Sequence, residues 1–115
     1  MICRMWHGWT TVTNADLYDA YLREELFPRV QHELSQKGYR GFNVLRLTRE
    51  NEVEFITQVW FESLDAVKSF AGEDYETPVI SAKAKTLLSR HATHCEHFNL
   101  SSFDWPNTAN GRAAG

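Results

Sequence analysis

Residues 53–61, Val-Glu-Phe-Ile-Thr-Gln-Val-Trp-Phe, constrain the fold of this chain more than any other stretch. Side chains alternate across a strand. Val53, Phe55, Thr57, Val59 and Phe61 therefore share one side, and Glu54, Ile56, Gln58 and Trp60 share the other. Both sides carry large apolar residues, so a single covering layer is not enough, and each face of the strand needs something packed on it.

The flanking segments say what covers the first face. Met1 to Thr11, with Ile2, Cys3, Met5, Trp6 and Trp9, reads as a strand. Thr13-Asn14 then supplies a helix cap, with Asp16 three residues after Thr13 in capping-box position. Leu17, Tyr18, Tyr21, Leu22 and Leu26 follow at helical spacing. Pro28 is expected to kink this helix, which resumes through Val30 and Leu34 and ends near Lys37, capped by Gly38. Tyr39–Arg49 and Glu52–Phe61 form a hairpin through Glu50-Asn51. Ser63 opens a short helix carrying Leu64, Val67, Phe70 and Ala71, which stops at Gly72. After the charged connector Glu73–Glu76, Thr77-Pro78 begins a last helical stripe of Ile80, Ala84, Leu87 and Leu88. Arg90 to Leu100 forms the final strand.

The order β-α-β-β-α-β is the ferredoxin-like α+β arrangement, a four-stranded antiparallel sheet with helices on one face, over one domain of residues 1–101. Residues 106–115 are small and polar, and 102–115 are expected to form a flexible tail. Helices on one face leave Ile56 and Trp60, with Phe42 and Val44 or their neighbours, as an open apolar patch. Sheet-to-sheet pairing of two copies in a homodimer closes it.

Composition narrows the function. Among 115 residues, 12 Lys and Arg against 15 Asp and Glu give a net charge of −3 and no basic stripe for a nucleic-acid backbone. No run approaches the roughly 20 apolar residues of a membrane span, and the first ten residues lack the apolar core of a signal peptide. The expected compartment is the cytoplasm, with Cys3 and Cys95 as two reduced thiols rather than a disulfide framework.

The stretch Phe55–Phe70, with Phe61-Glu62-Ser63-Leu64-Asp65-Ala66 at its centre, resembles the strand-to-helix signature of the antibiotic biosynthesis monooxygenase (ABM) family, a group of dimeric α+β barrels. The opening Arg4-Met5-Trp6-His7-Gly8-Trp9-Thr10, the segment Phe70-Ala71-Gly72-Glu73-Asp74 and the ending Glu96-His97-Phe98 resemble a bacterial branch of it. The resemblance implies oxygenation of a phenol- or quinol-type molecule without metal, flavin or any other cofactor. The substrate supplies the electrons, while the protein supplies a dry pocket, a proton acceptor and hydrogen bonds to the anion. The family's Asn and Trp on strand three fall on Thr57 and Phe61 here, and its helical Tyr falls on Val67. The Trp and His of haem-degrading relatives fall near Phe70 and Val79. Trp60 lies one residue from the family's Trp, hence on the opposite face.

The residues left to carry such chemistry are His97 or His7 as base, Trp6 and Trp60 as aromatic walls, and Arg4 or Asn43 as anion stabiliser. Each also has a plain structural reading, the histidines as hydrogen-bonded or surface residues and the tryptophans as core or dimer packing. His91, His94 and His97 suggest a metal run, but on one strand His91 and His97 sit roughly 20 Å apart with His94 reversed, so no metal site is expected. Two functions stay open: a cofactor-independent monooxygenase, and a non-catalytic binder of a small hydrophobic molecule or stress-related dimer. A cavity on which His and Arg converge favours the first, and tight packing favours the second.

Overall fold

The computed structural model describes residues 1–104; residues 105–115, most of the expected tail, lie outside it. Strand β1 (Ile2–Thr10) pairs antiparallel with β3 (Val53–Phe61), which pairs with β2 (Tyr39–Thr48). On its other edge β1 pairs with β4 (Leu88–His91) and β5 (Glu96–Asn99), so the sheet is antiparallel and five-stranded. Helices α1 (Ala15–Tyr21), α2 (Phe27–Leu34), α3 (Leu64–Ala71) and α4 (Ala82–Leu87) complete an α+β architecture consistent with the ferredoxin-like expectation.

The alternation of β3 sorts as its sequence requires. Val53, Phe55, Thr57, Val59 and Phe61 are buried under the helices, with Tyr18, Leu22, Phe27, Val30 and Val67 packed against them. Leu17 is 58% exposed and is corrected to a surface residue, because the helix presents Tyr18, Tyr21 and Leu22 to the sheet. The interruption near Pro28 is a π turn over Leu22–Leu26, after which α2 starts with proline in its first turn, where the missing amide costs nothing. Gly38 ends the helical segment in the left-handed region, at φ +96°.

Three expectations are corrected and one open alternative is decided. The Thr13/Asp16 capping box does not form, because Thr11 Oγ1 takes the Asn14 amide and Asp16 pairs with Arg46. Thr77-Pro78 does not start a helix. Thr77 closes a turn on Asp74 and lends its carbonyl to Arg4, so α4 begins at Ala82, with Ser81 Oγ capping the Ala84 amide. The last strand is split into two, giving five strands rather than four, because residues 92–95 leave the ladder and bury Cys95. The Ala92 amide reaches the His7 carbonyl and the Cys95 amide reaches Glu76, which holds the excursion in place. Phe42 and Val44 belong to the helix face. The β2–β3 register shifts between Tyr39 and Gly41, and this bulge turns Asn43, Leu45 and Leu47 to the open side. Among the described residues no helix is long and apolar enough to cross a membrane.

Candidate functional site

Between the sheet and the helices lies a cavity of about 330 Å³. Trp6, Thr57 and Val59 form its floor, Tyr18, Tyr21, Leu22, Phe27 and Val30 its helical wall, and Phe70, Ile80, Ala84 and Cys95 its far side. Exposed lining residues Arg29, Glu33, Ser69 and Val79 mark its opening. The volume is at the lower end of small-molecule pockets, roughly 300–1,000 Å³.

Two guanidinium groups line it, the exposed Arg29 at the opening and the buried Arg4 inside. Arg4 points inward from β1, opposite Val59 on one side and His97 on the other, and is 4% exposed. Its Nη1 donates to the Tyr75 carbonyl and lies 3.0 Å from His97 Nε2, and its Nη2 donates to the Thr77 carbonyl at 3.2 Å. The guanidinium also stands 5.6 Å from the centre of the Phe70 ring. No carboxylate lies within ion-pair distance of it among the described residues. A buried charge normally carries a partner; here two backbone carbonyls and an imidazole take its place.

His97 stands behind Arg4 rather than in the lining, its ring edge-on to Tyr75 at 5.1 Å. Burial and the neighbouring guanidinium hold its pKa below the ordinary imidazole value, with Glu76 opposing. A guanidinium only donates, so Nε2 is the acceptor and the ring proton sits on Nδ1. The unfolded chain binds this proton more readily, so stability is full above about pH 6.5 and falls as pH drops below that towards the folded value. His97→Gln is therefore expected to lose less Tm than the parent between about pH 8 and pH 5. Parallel pH–Tm curves from thermal scans would remove this account of His97.

Of the other cavity groups, Tyr18 is raised by burial and stays a neutral phenol, while Tyr21 shares a 2.5 Å hydrogen bond with Ser81. Burial also raises the Cys95 thiol, against the pull of Arg4.

The six residues singled out in the sequence divide between two faces. Arg4, Trp6 and His97 are inward, with Trp6 Nε1 donating to the Ala92 carbonyl at 2.9 Å. His7, Trp60 and Asn43 lie on the open face. Trp60 Nε1 donates to Asn43 Oδ1 at 2.7 Å, and His7 Nδ1 sits 3.0 Å from Glu54, which is also bound by Arg49. Trp6 and Trp60 are therefore not walls of one pocket, and His7 and His97 are not alternative bases at one site. A second, shallower hollow of about 250 Å³ on the open face is lined by Cys3, Met5, Gln58, Trp60 and Phe98. His94 lies in the loop beside Thr93, and His91 packs 5.5 Å from Trp6. Among the described residues no three His, Cys, Asp or Glu side chains come together as a metal site.

Sequence reasoning missed the carbonyls of Tyr75 and Thr77, which no residue type advertises, and Cys95, whose place depends on the strand break. Thr57 entered only as a departure from the family pattern, although its alternation with Phe55 and Val59 already put it on the cavity side. No family model matches this sequence, and no curated protein matches it either.

Proposed function

We propose that the cavity binds a small planar phenol- or quinol-type molecule as its anion, and that the chain is a cofactor-independent oxygenase of the ABM kind. The observation that carries this is Arg4, a buried guanidinium facing an aromatic-walled cavity with no acid beside it. A bound phenol supplies the missing negative charge, and the guanidinium lowers the cost of ionising it. His97 Nε2, 3.0 Å from Arg4 Nη1 and outside the lining, is the base of this reading, and it reaches the substrate proton once Arg4 has moved aside to the substrate oxygen. The electron-rich anion then reduces dioxygen directly, so that overall an activated CH2 group and O2 give C=O and water. Trp6 and Phe70 keep the site dry.

A second reading, the non-catalytic ligand-binding or stress-related dimer, is favoured by one specific observation. Phe61 and Val67, at the positions of the family's Trp and Tyr, are wholly buried and contribute nothing to the cavity lining. Oxygen uptake by metal-stripped protein against anthrones, quinols and naphthols separates the two. Turnover that His97→Ala abolishes supports the oxygenase and its base, whereas ligand binding without uptake across the panel transfers the assignment to the binder.

The open face completes the proposal. Leu45 (47% exposed), Leu47 (52%) and Phe98 (47%) surround Met5, Ile56 and Trp60 there, and we read this face as the surface through which two copies pair. Trp60→Glu is expected to convert a dimeric elution volume to a monomeric one at micromolar protein. An unchanged volume would remove the pairing. The free buried thiols Cys3 and Cys95 support a reducing, cytoplasmic setting.

A further inference from the structure

A guanidinium has five N–H groups, and the protein uses three of those on Arg4: two on Nη1, for the Tyr75 carbonyl and His97, and one on Nη2, for the Thr77 carbonyl. Nε–H and the second Nη2–H meet no acceptor among the described residues. Nε and Nη2 are neighbouring nitrogens of the guanidinium, and paired N–H groups on such neighbours hold the two oxygens of a carboxylate. A single phenolate oxygen fills such a fork incompletely.

We infer that the ligand of this cavity is a planar aromatic carboxylate, its carboxylate held bidentately by the Nε and Nη2 edge of Arg4 and its rings lying against Trp6, Phe27, Val59 and Phe70. The inference rests on the reading of the cavity as a ligand site, and it adds a ring carboxylate to the phenol- or quinol-type ligand proposed for it. A volume of about 330 Å³ suits one or two fused rings. The aromatic walls give such a ligand most of its buried contact, and the fork sets its orientation.

Three probes of one shape test this: 2-naphthoate, its methyl ester and 2-naphthol, titrated calorimetrically into the full chain at neutral pH. The acid is expected to bind at least about tenfold more tightly than the ester, the scale of a charge-assisted pair. In Arg4→Lys, which keeps the charge and loses the fork, the acid's advantage shrinks while ester binding persists. Arg4→Met removes that advantage, and circular dichroism checks that both variants fold. The wild-type comparison stands even if neither does. Ester and naphthol binding as tightly as the acid, or more tightly, overturns the carboxylate inference and leaves the ligand cavity standing. Failure of all three to bind overturns both.

Discussion

Phe61→Ala lowers the unfolding free energy by about 3–5 kcal/mol, the cost of emptying a large aromatic site that cannot collapse. Phe61 has no exposed surface. It sits where β3 meets both neighbours, opposite Ile2 on β1 and Tyr39 on β2, with its ring 6.1 Å from Tyr39 and 5.8 Å from Phe70. These neighbours are held by backbone ladders, so the void persists and its lining loses dispersion contacts. Domains of this size hold only about 5–15 kcal/mol in total, and the loss is expected to lower Tm by more than about 10 °C. Because Phe70 leans on Phe61 and also lines the cavity, ligand affinity should weaken in the same variant. Leu17→Ala is the control: at 58% exposure it should change stability by no more than about 0.5 kcal/mol. Denaturant melts of the two variants check both figures.

Two glycines with the same sign of φ should respond unequally to alanine. Gly38 (φ +96°) turns the chain from the helical segment into β2, and a Cβ there would stand 2.6 Å from the Ala66 Cβ of α3. Gly72 (φ +88°) ends α3 with nothing within 4 Å of the corresponding position. Left-handed backbone in a non-glycine residue costs about 1–3 kcal/mol in both cases. Only Gly38→Ala adds a collision with a short, immobile side chain, worth about 1–3 kcal/mol of overpacking. The Gly38 amide region is also fastened, since its carbonyl accepts from Glu62 at 2.8 Å, which limits relief by local movement. Gly38→Ala should thus be the more damaging by at least about 1 kcal/mol in a chemical melt. Equal losses would mean that the α3–β2 contact gives way freely.

Local patterns made most of the fold legible. The two-residue alternation of Val53–Phe61 fixed which side chains go under the helices, and the i, i+3, i+4 set Tyr18, Tyr21 and Leu22 fixed the face of α1. Ser63 and Gly72 marked the ends of α3 because capping is local chemistry. What escaped was set by distant partners. Thr77-Pro78 reads as a helix start, but the Thr77 carbonyl is drawn to Arg4, 73 residues away in sequence. The last strand reads as continuous, but burial of Cys95 and the Trp6 bond to Ala92 pull residues 92–95 off the ladder. The bulge at Tyr39–Gly41 decides whether Phe42 faces the helices, and no residue type in that stretch announces it.

The candidate site was half legible for the same reason. Strand parity alone places Arg4 and Trp6 together and His7 opposite them. That His97 joins Arg4 depends on β5 lying beside β1 in one particular register. The cavity itself is a property of side chains packed between the sheet and the helices, and pattern along the chain carries no measure of it.

The central claim is that ligands enter between the sheet and the helices rather than on the open face. Methyl NMR during titration with 2-naphthol tests it most directly, because the two faces carry different reporters. The account predicts saturable shifts at Leu22, Val30, Val59 and Ile80, which line the cavity, while Leu45, Leu47 and Ile56 on the open face stay still. Shifts confined to Leu45, Leu47 and Ile56 would contradict it and move the site to the opposite side of the sheet.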